Sequence, residues 1–216
     1  MDDDAIAAPD WLERILDFFR THDDTAVAVG GRVVPQWEGS RPGWLSESLN
    51  GHFSILDWGD EPFQILDEHW LAGTNMALQV ASVRACGGFC EALGRIGNVL
   101  LSNEETELIR RLRRRGGRSF YDPSISITHR IDANRLTPGW IRKRIFWQVV
   151  SEAIMEQVEG GNDQYDRTVQ NVDVASLHLA LGDLLGDPRD SASFHEQLSA
   201  LKALLRSLTN DCSLEN

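Results

Sequence analysis

Ala26-Val27-Ala28-Val29-Gly30-Gly31-Arg32-Val33-Val34 is a short, apolar, β-branched run. It predicts a buried strand, interrupted at its two glycines by a bulge or a close approach of backbone. Upstream, Trp11, Leu12, Ile15, Leu16 and Phe19 recur at helical spacing behind Pro9 and the acidic Asp10 and Glu13. A helix is expected from Pro9 to Arg20. Downstream, periodicity is lost from Pro35 to Leu71, where Trp37, Trp44, Trp58 and Trp70 stand among Gly, Pro, Ser and Asp. Loops of that length are functional or mobile, and these tryptophans read either as sugar-stacking rings or as packing of the loop onto the domain.

Beyond the loop, Ala81 to Ala85 reads as a short helix closed by Gly87-Gly88, with Phe89 packing back. Ser102 to Arg115 predicts a stronger helix, with Leu108, Ile109 and Leu112 as its apolar stripe and Gly116 at its end. Strands are expected at Arg118–Tyr121 and Ile125–Thr128, then a long helix from Thr137-Pro138 to Val158. Composition shifts toward Asn, Asp, Gln and Ser after Gly160-Gly161, before helical stretches at 174–185 and 193–208. Residues 1–159 are therefore expected as an α/β domain and 160–216 as a helical tail.

The chain has 216 residues, 42% of them hydrophobic and 25% charged, which fits one soluble domain with an appendage. No apolar run reaches the ~18 residues of a membrane span, and Met1-Asp2-Asp3-Asp4 has the wrong charge for a signal peptide. Cys86, Cys90 and Cys212 lack zinc-site spacing and read as reduced thiols of a cytoplasmic protein. The net charge of −12 is uneven: residues 106–150 carry 11 bases against 3 acids, whereas 1–105 carry 6 against 18. A basic segment inside an acidic chain argues against nucleic acid as partner but suits a small anion or a lipid headgroup. Arg110, Arg111, Arg113, Arg114, Arg115 and Arg118 read as an outward-facing group, since the leucine stripe takes the inner face.

Three places carry candidate chemistry. Asp2-Asp3-Asp4 offers carboxylates able to share a hard divalent cation with phosphate oxygens, or is a solvated acidic terminus. Glu104 and Glu105 open a helix, where a fixed carboxylate can act as general base. Ser102-x-x-Glu105 is equally a capping box. His129, placed near a strand end, can complete a metal shell, and the adjacent Arg130 can meet phosphate; a partly exposed strand-end histidine is the plainer alternative.

The order of the pieces says more than any one of them. Asp2-Asp3-Asp4, Gly30-Gly31-Arg32, Ala72-Gly73-Thr74-Asn75-Met76, Gly87-Gly88-Phe89, Leu93-Gly94-Arg95, Asn103-Glu104-Glu105-Thr106-Glu107-Leu108 and His129-Arg130 follow one another over residues 1–155. This succession resembles the family 2 glycosyltransferases of the GT-A fold. The resemblance implies an inverting, metal-assisted transfer from a nucleotide-diphosphate sugar to a carbohydrate or lipid-linked acceptor.

Asp2 and Asp4 match the family's D-x-D motif, with Asp4 and His129 as ligands of Mg²⁺ or Mn²⁺ beside Asp2. Asp2, Asp3, Gly73, Asn75, Glu104 and Arg130 are implied at the donor. Glu105 stands where the family carries its catalytic aspartate. It is one methylene longer, a change in reach of about 1.5 Å.

The family's nucleotide-binding strands precede the D-x-D motif, and only Met1 does so here. The expectation is therefore an incomplete GT-A fold, a mixed sheet flanked by helices, acting as the C-terminal portion of an enzyme whose N-terminal half lies upstream or on a separate chain. The alternatives are a catalytically inactive remnant that binds metal or a partner, and an unrelated metal-binding adaptor. Trp140, Arg142, Lys143, Arg144 and Trp147 read either as peripheral contact with the inner face of the cytoplasmic membrane or, more plainly, as a helix packed on the domain.

Overall fold

In the computed structural model, which describes residues 1–95 and 100–158, the chain runs β1 (Ala5–Ala7), α1 (Trp11–Thr21), β2 (Ala26–Gly30), β3 (Val33–Trp37), β4 (Phe63–Gln64), β5 (Met76–Leu78), α2 (Val80–Ala85), α3 (Glu104–Arg114), β6 (Arg118–Tyr121), β7 (Ile127–Ile131) and α4 (Pro138–Val158). The expected boundary at Gly160-Gly161 and the tail helices at 174–185 and 193–208 lie outside the described residues. Residues 1–91 with 104–137 form one unit, and residues 92–95, 100–103 and 138–158 belong to another.

In the first unit the decisive apolar run forms two strands rather than one. All five residues of β2 are buried. β2 pairs with β6 in parallel and with β5 antiparallel, and β4 completes a four-stranded sheet on the far side of β6. β3 departs to a second, three-stranded sheet, parallel to β7, whose other edge is β1 running antiparallel. The single mixed sheet of the sequence reading is thus two mixed sheets.

The cause lies at the glycines. A Cβ on Gly31 would sit 2.0 Å from the Ile125 carbonyl oxygen, and one on Gly30 would sit 2.5 Å from that of Asn75. Only glycine lets the two strand crossings, 30–33 and 121–127, pack backbone to backbone.

Both faces of β2 are covered, which is why its sequence is continuously apolar. Val27 and Ala28 join Leu56, Ile65, Leu71, Leu108, Ile109, Leu112 and Tyr121 in one cluster. Ala26 and Val29 join Ile15, Phe18 and Ile125 in another. α3 therefore supplies the first cover and α1 the second. The apolar stripe of α1 is wider than its covered face, since Leu12 and Leu16 remain exposed.

α3 opens at Glu104 behind Asn103, whose φ of 75° is a left-handed conformation that Asn tolerates. The expected capping box is absent. In the second unit the Ser102 N–H donates to Ser151 Oγ at 2.9 Å, and Ser102 Oγ donates to Gln148 Oε1 at 3.0 Å. A contact distant in sequence has displaced the local one. Gln148 Nε2 also donates to Asn103 Oδ1, which ties the residues ahead of Glu104 to α4. α4 buries Ile141, Ile145, Val150, Ile154 and Met155. Among the described residues no helix is long and apolar enough to cross a membrane.

Candidate functional site

β7 positions the first group of side chains through strand alternation. Ile127, His129 and Ile131 are buried, while Thr128 and Arg130 face the other way. His129 therefore lies inside a strand that runs three residues further than the expected Thr128 end, and it is buried rather than partly exposed. The Ala5–His129 register of β1 and β7, with Arg130 N–H bonded to the Asp4 carbonyl at 2.9 Å, delivers Asp4 to the imidazole.

His129 Nδ1 stands 2.9 Å from the Phe53 carbonyl oxygen, to which it donates. Nε2 faces Asp4 Oδ2 at 3.3 Å. With Nδ1 committed to donating, Nε2 meets the carboxylate either as a second N–H or across a cation. Asp4 Oδ1 is buried and has no hydrogen-bond partner. An imidazole nitrogen and a carboxylate with one unused oxygen suit a divalent cation that takes its other ligands from water and phosphate. Among the described residues no three His, Cys, Asp or Glu side chains converge, so this is a two-ligand arrangement.

Asp2 and Asp3 do not join it. Both are exposed, and Asp2 contributes its carbonyl oxygen to the Ala5 N–H. Arg130 points away from His129, as alternation requires, and pairs with Glu38 at 2.8 Å. Arg135 enters instead. It lies on a 3-10 turn, Ala133–Arg135, beyond β7, with Nη2 3.3 Å from Asp4 Oδ2. No composition or spacing signal singled it out.

The second group is Gly73, Glu104 and Glu105. Gly73 N–H donates to Glu105 Oε1 at 3.2 Å. A Cβ on Gly73 would lie 2.9 Å from that oxygen, so a glycine allows the carboxylate to reach the backbone. Glu105 Oε2 and Glu104 Oε2 are both buried without partners. Burial, then the neighbouring charge of Glu104, push the Glu105 carboxyl up to about 7. A carboxylate so placed is poised to exchange a proton near neutrality.

Asn75 stands behind this wall. It is fully buried, its Oδ1 accepts from Trp11 Nε1 at 2.8 Å, and its Nδ2 donates to the carbonyls of Arg32 and Ile125 at 3.0 and 2.8 Å. These are the carbonyls of the strand crossings, so Asn75 bolts the two sheets and fixes the Gly73 turn. These side-chain bonds all run to groups of the protein itself.

The arginines of α3 are less outward than expected. Arg111 Nε and Nη2 bind Glu107, which is 2% exposed, while Nη1 and Nη2 donate to the carbonyls of Cys86 and Gly88. Arg113 pairs with Asp67, and Arg118 with Asp23. Phe89 does not pack back, being 48% exposed, because the Arg111 clamp secures that turn instead. Trp58 and Trp70 pack on the main core, with Trp58 Nε1 donating to the Trp70 carbonyl.

Compared with known proteins, the chain is 29% identical over 159 residues to a glucosyl-dolichyl phosphate glucuronosyltransferase of Haloferax volcanii, covering 72% of this chain and 50% of that one. It is 27% identical over 150 residues to a pre-mycofactocin glycosyltransferase of Mycobacterium tuberculosis, covering 68% of this chain and 29% of that one. These likenesses support a glycosyltransferase relationship. The chain spans half the length of the first relative and under a third of the second. No family model matches the sequence, and no solved structure matches it.

Proposed function

We propose that this chain is the acceptor-side part of an inverting, family 2 glycosyltransferase of the GT-A type, using a nucleotide-diphosphate sugar and a divalent cation. The observation that carries the reading is Glu105: one oxygen is held by the Gly73 amide, the other is buried and unpartnered, and the carboxyl titrates at about 7. In the transfer, Glu105 Oε2 takes the proton of the acceptor hydroxyl as that oxygen bonds to the anomeric carbon. The bond from that carbon to the donor's phosphate oxygen breaks, and the nucleoside diphosphate leaves from the opposite face, which inverts the centre. Gly73 N–H keeps the carboxylate aimed throughout.

Asp4 and His129 would hold the cation, Mg²⁺ or Mn²⁺. When bound, it supplies positive charge for the departing diphosphate. Asp2 and Asp3, on the exposed lead into β1, are assigned to the donor side. The name of the Haloferax relative points to a lipid-linked sugar as acceptor, and the proposed place of action is the inner face of the cytoplasmic membrane. The nucleotide base is assigned to a segment upstream or on a separate chain, in keeping with the relatives' greater length.

The test is release of nucleoside diphosphate from a panel of nucleotide-diphosphate sugars with Mn²⁺ and lipid-linked acceptors, using this chain and a version extended upstream. Turnover abolished by Glu105→Gln supports the reading. Absence of turnover in both forms overturns it in favour of a remnant that binds metal or a partner.

A further inference from the structure

The turn that follows α2 holds a phenylalanine in solvent on a pinned backbone. Gly87 and Gly88 both take positive φ, 91° and 83°, a left-handed pair that suits glycine. Their amides donate to the carbonyls of Arg84 and Val83 at 3.2 and 3.0 Å. From the α3 side, Arg111 donates to the carbonyls of Cys86 and Gly88 at 2.6 and 2.8 Å, and Arg115 donates to that of Ala85. Phe89, which ends the turn, is 48% exposed. Val80 and Arg84, one helical turn apart on α2, are exposed as well.

The charge around this turn has one sign. Arg111, Arg113 and Arg118 are paired with Glu107, Asp67 and Asp23. Arg84 and Arg115 are exposed, and among the described residues neither has a carboxylate partner. Residues 108–121 contain no acid, and Glu91 is the one acid of residues 80–91. In a chain of net charge −12, such a patch is where an anionic surface can approach.

We infer that the Arg84–Phe89 turn, with Arg115 beside it, docks on an anionic lipid bilayer. Phe89 enters the boundary between headgroups and acyl chains, and Arg84 and Arg115 meet headgroup phosphates. One apolar ring ringed by arginines matches a layer that is charged at its surface and apolar just beneath. The bonds to the turn hold the ring ready, so insertion costs little ordering. The inference rests on the lipid-linked acceptor proposed above and deepens it by naming the face that meets the membrane. Arg111, which grips the turn, stands about 9 Å along α3 from Glu105.

The experiment is co-sedimentation of the full chain with vesicles of equal parts phosphatidylglycerol and phosphatidylcholine, and with vesicles of phosphatidylcholine alone. The parent should bind the mixed vesicles, release them in high salt, and ignore phosphatidylcholine. Arg84→Gln should weaken binding about fivefold, and Arg84→Gln with Arg115→Gln about thirtyfold, while Arg84→Lys and Arg115→Lys hold it near the parent level. Phe89→Ser should weaken it about fivefold and Phe89→Leu little. Each variant is compared only if it melts like the parent.

A parent that ignores the mixed vesicles, or binding unchanged in Phe89→Ser and in the double glutamine variant, overturns the inference. A parent that ignores the vesicles yet binds polyglutamate through the same arginines makes this a protein-docking face, which also overturns it. Glu105→Gln should bind vesicles like the parent. Turnover of a water-soluble acceptor by Phe89→Ser leaves the transferase reading standing whatever the vesicles show, and its absence in every form overturns that reading separately.

Discussion

Glu105 links the fold's stability to its chemistry. Its carboxyl rises from an ordinary 4.5 to about 7, by burial first and by the charge of Glu104 second. Below pH 4.5 the folded and unfolded chains both hold the proton, so the group has no effect on stability. Between 4.5 and about 7 the folded chain keeps a proton that the unfolded chain has lost, so stability falls as pH rises and the loss is complete above about 7. Glu105→Gln should therefore melt higher than the parent at pH 8, with the difference vanishing near pH 4. A constant difference across that range in calorimetry would contradict the assignment. The proposed transfer, with Glu105 as base, needs the deprotonated form, so its rate should rise through the same interval.

Asn75 is the residue-scale counterpart in architecture. Asn75→Ala would strip partners from the Trp11 indole and from two carbonyls at the strand crossings. A cost of about 3 kcal/mol in urea unfolding is expected, at the upper end for buried polar groups left unmade. The Gly73-Thr74-Asn75 motif was legible as a unit in sequence. That its asparagine bonds the carbonyls of Arg32 and Ile125 and its glycine the Glu105 carboxylate was not, because these partners are distant in sequence.

α3 combines both tasks as an element. Its inner stripe of Leu108, Ile109 and Leu112 closes the core, its first turn carries Glu104 and Glu105, and its middle clamps the Cys86–Gly88 turn through Arg111. Glu107 is nearly inaccessible, so removing its partner would strand a buried charge. Arg111→Met should cost about 3 kcal/mol and increase proteolytic nicking between residues 86 and 90. An unchanged urea midpoint and cleavage pattern would show the clamp to be idle.

The leucine stripe and the end of α3 at Gly116 were readable from periodicity, since they follow from local rules. The capping box was misread, because the Ser102 amide found Ser151 on α4. The end of β7 was likewise misplaced: Thr128-His129-Arg130 is a run of three polar residues, and only the pairing with β1 and β3 makes it part of a central strand.

In the molecule as a whole, the bend at Gly30-Gly31 determines what can meet. It sends β2 into one sheet and β3 into another, while the same crossing sends β6 and β7 the same way. β7 thereby carries His129 to Asp4. The double glycine announced a close approach, but a single sequence holds no record of which strand passes on the other side. The motif order over residues 1–155 carried the functional reading further than composition did. The charge pattern argued against a nucleic-acid partner and left the pairing of individual arginines open.

The most direct test of the central claim is proton NMR of the anomeric centre during transfer, using the upstream-extended chain, an α-linked nucleotide-diphosphate sugar and Mn²⁺. The account predicts a β-linked product that appears with the parent and is absent with Glu105→Gln. An α-linked product, or equal turnover by Glu105→Gln, would contradict it.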